Sequence, residues 1–96
     1  MARIQSDFRG KSRRAISIRM TGPTKRSMMI AGHATSISLE PVFWAALREA
    51  ADAEGLPLSA LVARIDAQRI EAPRPANLAS AIRVWLFERA VARGSQ

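Results

Sequence analysis

The chain has 96 residues, of which 48% are hydrophobic, and a formal net charge of +7. That size points to one domain, and that apolar content suits a packed core and excludes a disordered chain. No apolar run approaches the roughly 20 residues needed to cross a bilayer, no secretory signal opens the chain, and the lack of cysteine excludes disulfides and thiolate metal sites.

Residues 1–26 read as a basic flexible arm. They hold Arg3, Arg9, Lys11, Arg13, Arg14, Arg19, Lys25 and Arg26 against Asp7 alone. Over residues 27–96 seven arginines meet seven acids, so the whole excess lies in the first quarter. A neutral body with a cationic arm is the layout of a polyanion binder. Gly10, Gly22 and Pro23 interrupt the arm, and no helical or strand period persists there. Two other readings stay open. An Arg-rich, acid-poor start resembles an organelle transit peptide, and translation could begin at Met20 or Met28.

The body, residues 27–96, begins with a strand signal. Toward the end of the stretch from Met28 to Leu39, Thr35, Ile37 and Leu39 share one face, and Ala34, Ser36 and Ser38 share the other. Gly32 marks its start or a kink. Helix A is predicted from Pro41 to Glu54, with Pro41 in the first turn and Gly55 at the left-handed cap. Its stripe is Phe43, Trp44, Leu47, Ala50 and Ala51. Helix B is predicted from Leu58 to Ile70, with Leu58, Leu61, Val62 and Ile65 in helical spacing. Pro73 and Pro75 force a break. Helix C starts at the N-cap Asn77 and ends near Arg93-Gly94, with Leu78, Ala81, Ile82, Trp85 and Leu86 inward.

A lone strand leaves its backbone groups unpaired, at a cost near that of lost hydrogen bonds. A core this small also seldom holds itself together alone. Pairing with the strand of a second copy answers both needs. It predicts an intertwined homodimer with Ile37, Leu39, Trp44, Leu47, Leu61 and Ile65 in its core. A two-stranded ribbon then carries Ala34, Ser36 and Ser38 outward, in a shape that fits the major groove of B-DNA.

These residues resemble a known family. The strand, Glu40-Pro41, and two helices broken at Gly55-Leu56 are similar to the ribbon-helix-helix fold of the Arc and Met repressor type. The closer likeness is to a bacterial ribbon-helix-helix domain family. Its blocks here are Gly32-His33-Ala34-Thr35-Ser36-Ile37-Ser38-Leu39-Glu40, then Phe43-Trp44, then Asn77-Leu78-Ala79-Ser80-Ala81-Ile82-Arg83-Val84. The resemblance covers about residues 26 to 90. It implies a mainly α fold: one N-terminal strand pairing antiparallel across a homodimer, two helices, and a third helix in addition. It also implies binding of double-stranded DNA and a role as a transcription regulator, with the paired strands as reader. Ala34, Ser36 and Ser38 would face the bases. Ser59 and Ala60, at the start of helix B, would hold phosphate through backbone N–H groups. Alanine stands at position 34 where arginine is common, and it cannot grip guanine.

Arg13, Arg14, Lys25 and Arg26 are the arm residues expected at phosphates. His33, the only histidine, reads as a packed or capping residue, with a DNA contact as the alternative. Trp44 and Trp85 lie on apolar stripes and read as core. No metal, cofactor, small-molecule substrate or membrane partner is expected, and no nucleophile–base pair suggests an enzyme. A cytoplasmic, nucleoid-associated protein is the expectation. A non-specific or architectural nucleic-acid binder and an antitoxin-like interaction module are the alternatives. The chain ends two residues after Gly94, which speaks against a toxin-wrapping tail.

Overall fold

The computed structural model describes residues 21–94. Its first element is a hairpin of β1 (Thr24–Ile30) and β2 (His33–Leu39), paired antiparallel from Ile30↔His33 to Thr24↔Leu39. The partner expected from a second copy is thus supplied in the same chain. Thr24, Lys25 and Arg26, read from sequence as the end of an arm, are strand residues. The turn is Ala31-Gly32, with φ of 50° and 85°. Two positive φ values make a type I′ turn, whose twist matches that of the strands. Glycine adopts this freely; Ala31 carries a Cβ there at a cost.

Three helices follow: α1 (Pro41–Ala53), α2 (Leu58–Ile70) and α3 (Leu78–Gly94). The strand at His33–Leu39 and the three helices stand as expected from the sequence; β1 does not. Pro41 opens α1, and Gly55, at φ 68°, closes it. Leu56 N–H reaches Ala51 O at 2.9 Å and Gly55 N–H reaches Asp52 O at 3.1 Å, satisfying the last carbonyls. Asn77 caps α3, its Oδ1 accepting from Ser80 N–H at 2.8 Å.

The inner face of the hairpin and the three helices share one core. Ile30, Ile37 and Leu39 come from the ribbon; Trp44 and Leu47 from α1; Leu61, Val62 and Ile65 from α2; Ile82 and Leu86 from α3. The six residues expected to form an interchain core are each at most 2% exposed within one chain. The reason is β1, whose Ile30 and inner side cover apolar surface expected to meet a partner strand, while α3 closes the core with the inward stripe expected of it. The Trp44 indole Nε1 donates to Thr24 O at 2.8 Å, fastening α1 to the first residue of β1.

Glu40 joins the ribbon to α3. Its carbonyl starts α1, accepting from Phe43 and Trp44 N–H at 2.9 and 3.1 Å. Its carboxylate takes two bonds from Arg83, from Nε at 3.0 Å and Nη2 at 3.3 Å. Arg83 also lies 5.7 Å from the centre of the Phe43 ring. A hydrogen bond with its own backbone, and then Arg83, hold the Glu40 carboxyl below its ordinary range.

Two outcomes follow. Ala31→Asn relieves the left-handed alanine and is expected to add about 1 kcal/mol of stability, a rise of about 4–8 °C in Tm; calorimetry checks it. Glu40 has a lowered pKa in the folded chain, so its stabilisation is present above its unfolded pKa and is lost as pH falls through the folded value. The Tm gap between the native chain and Glu40→Gln is therefore widest near pH 7 and closes below about pH 4, measured by thermal melts across that range.

Candidate nucleic-acid interface

Residues opposite each other in an antiparallel ladder share a face. With Ile37 and Leu39 buried, their partners Arg26 and Thr24 belong to the inner side. The outer side then carries Lys25 beside Ser38, Ser27 beside Ser36, and Met29 beside Ala34. All six are exposed, Met29 at 60%. Ala34, Ser36 and Ser38 are thus on one outward face, as the strand pattern predicts. Ser27 Oγ and Ser36 Oγ lie 3.2 Å apart, so the two hydroxyls share a hydrogen bond at the middle of that face.

Lys25, Ser27 and Met29 were missed as members of this face. Thr24–Ile30 shows no clean alternation of apolar and polar residues, and Ala-Gly is not among the dipeptides that signal a type I′ turn. The one available signal was Gly32, which could have been placed in a turn.

The four arm cations part company. Lys25 stands on the outer face. Arg26 lies on the inner side, its guanidinium 5.2 Å from the centre of the Trp44 ring. Arg13 and Arg14 lie outside the described residues.

The start of α2 is a second polar feature. Pro57 is its N-cap, with no side-chain cap and no acid in the first turn. Ala60 and Leu61 N–H both bond to Pro57 O, at 3.0 and 3.2 Å. The amide of Ala60, expected at phosphate, is therefore engaged within the turn. Leu58 and Ser59 N–H have no hydrogen-bond partner among the described residues, and Ser59 is exposed. Unpaired N–H groups and the positive end of a helix dipole suit an anion.

Other candidates resolve simply. His33 pairs with Ile30 beside the turn and is exposed. Trp44 is 2% exposed and Trp85 partly buried against the core, so neither is placed to stack on a base. Among the described residues no group of three or more His, Cys, Asp or Glu could hold a metal, and no helix is long and apolar enough to cross a membrane. An open groove between α2 and α3, with Ile65, Arg69 and Trp85 in its wall, contains no nucleophile–base pair.

The ribbon-helix-helix domain family matches residues 23–90, which runs from the residue before β1 into the last turns of α3. No curated protein and no solved structure matches the chain.

Proposed function

The chain belongs to the ribbon-helix-helix domain family, and from that premise we propose that it is a transcription regulator that binds double-stranded DNA as a homodimer. Domains of this family are in general DNA-binding modules without catalytic activity. The single observation that carries the reading is the outer face of the ribbon. It is exposed, small at its centre, and cationic at one end.

The ladder also says how two copies would meet. A two-residue turn makes Ile30–His33 a hydrogen-bonded pair, and bonded pairs alternate along an antiparallel ladder. The backbones of His33, Thr35, Ile37 and Leu39 then turn toward β1, and those of Ala34, Ser36 and Ser38 turn to the open edge of β2. The two edges differ. The β1 strand has Lys25 and Arg26 and follows Pro23, features that keep an edge from pairing. From Ala34 to Leu39, β2 has no charge and no proline. Two copies of β2 would join here, Ser36 against its twin, with all four strands in one sheet.

Strands lie about 4.8 Å apart, so the two central strands fit a groove about 12 Å wide. Ser36 and Ser38 would hydrogen-bond base edges, and Ala34 and Met29 would suit thymine methyls. The β1 strands would ride the groove rims, with Lys25 at phosphate. Leu58 and Ser59 N–H would take a further phosphate, and the basic residues before the ribbon, Arg13 and Arg14 among them, would add attraction without sequence preference. In this arrangement the basic residues that precede the ribbon would attract the DNA and the ribbon would read it, at the nucleoid of a bacterial cell.

Random-oligonucleotide selection with the purified protein is expected to return a short two-fold-symmetric site. Changing both Ser36 and Ser38 to alanine should cut the preference for that site about tenfold, equal to about 1.4 kcal/mol, with general affinity nearly unchanged. Lys25→Ala should lower all affinities alike and reduce the log–log salt slope by about 0.9 per protomer. If selection enriches nothing and the serine changes alter nothing, the chain is an architectural binder instead, a reading favoured by the short side chains at the centre of the face. For the dimer, Ser36→Cys places one cysteine in a chain that has none. Paired Cα atoms about 5.5 Å apart suit a disulfide, so oxidation should link two copies; no link rejects the β2 pairing.

A further inference from the structure

We propose that α3 carries a second self-association face, an apolar seam that takes the α3 of another copy of this chain lying parallel to it. The inward side of α3 is accounted for: Ile82 and Leu86 are buried, and Leu78, Ala81 and Trp85 pack partly against the core. The opposite side is also apolar. Val84 is 54% exposed, Phe87 69% and Val91 51%. A single exposed apolar residue is ordinary. These three are spaced three and four residues apart, so they stand one above another on the outer side of the helix. That is the a, d, a spacing of a coiled-coil seam.

The layers select the orientation. Parallel helices set Val84 on Val84, Phe87 on Phe87 and Val91 on Val91 of the second copy, three apolar layers. An antiparallel helix would pair Val84 with Phe87 twice and leave Val91 against Ser80. Charge selects the same arrangement. With Val84 and Val91 at a, Arg83 stands at g and Glu88 at e, and in parallel pairs a g residue meets the e residue of the next heptad across the interface. Arg83 of each copy would then meet Glu88 of the other. Glu88 has no ion pair among the described residues. Arg83 spends Nε and Nη2 on Glu40, and its Nη1 makes no hydrogen bond among the described residues. In the antiparallel case Glu88 meets Ala81 and Arg83 meets Ala90, with no gain.

Three layers fall short of the three to four heptads of a lasting coiled coil. The seam is therefore weak between free molecules and effective between molecules already held close, as on neighbouring DNA sites. The inference rests on α3 alone and does not require the DNA reading.

The test uses the full chain and two probes. Sedimentation of the native chain and of Phe87→Asp is compared over a wide concentration range, with circular dichroism melts as the folding control. Because Phe87 lies outside the core, the variant should melt as the native chain does while its self-association shifts to at least tenfold higher concentration. Ser80→Cys should link to its twin on oxidation, because parallel helices bring those positions level and antiparallel ones do not, and the link should weaken when Phe87→Asp is added. The Ser36→Cys link should survive Phe87→Asp. Loss of the Ser36→Cys link with the Ser80→Cys link intact would reject β2 pairing and leave the seam standing. Identical sedimentation of native and Phe87→Asp chains at every concentration, or Ser80→Cys linking no better than the exposed Asp52→Cys, overturns the seam.

Discussion

The register of the hairpin is the constraint on which the other features depend. With Ile30 set against His33, Ile37 and Leu39 fall on the helices and Ser36 and Ser38 fall outside. Because side chains alternate, a slip of one residue would send every one of them to the wrong face. The two-residue turn holds that register even though Ala31 is strained there. Burial of Leu39 and Ile37 at 0% and 2% gives the opposing force, since a slipped strand would expose both. The Trp44 bond to Thr24 O secures the far end of the ribbon, where no turn does. Turn, core and indole thus act on three points along the same fourteen strand residues.

Much of this was legible. Pro41, Gly55, the break at Pro73 and Pro75, and the Asn77 cap located the helix ends, because each acts through local backbone geometry that one residue type supplies best. The outward set on β2 was legible because Ile37 and Leu39 alternate with serines. What stayed hidden was β1. Residues 24–30 place two cations before two methionines, and strand propensity there is too weak to stand out. Their strand character comes from the partner across the turn and from Arg26 and Trp44, which are 18 residues apart in sequence and face to face in the fold. Such a contact has no local trace. The inference of a second copy from an orphan strand was consequently drawn from a strand that has a partner; the case for a dimer now rests on the uncharged edge of β2 and on family membership.

The same contacts sort the cations by role. Arg26 is occupied by Trp44, Arg64 by Glu54 at 2.7 Å, Arg69 by Asp66 and Ala76 O, and Arg83 by Glu40. Lys25 is the cation left on the outer face of the ribbon. A body of balanced charge with one such residue per ribbon cannot attract a polyanion strongly by itself. In the proposed complex most of the long-range attraction would come from the basic residues that precede β1, and the ribbon would supply fit. That division suits a face whose central side chains are too short to grip a base with two hydrogen bonds.

The third helix explains how a single chain can bury a core that two strands and two helices would leave open. Ile82 and Leu86 close it, and Arg83 locks α3 to Glu40, the residue at which ribbon becomes helix. A helix recruited only for this purpose would be polar on its outer side. Val84, Phe87 and Val91 are not, and their exposure has no counterpart in α2, where Ile70 is the only large apolar residue left exposed. Covering a core requires one apolar stripe; α3 has two. The outer stripe lies outside the buried core cluster, and its a, d, a spacing is what a seam with a second α3 would require.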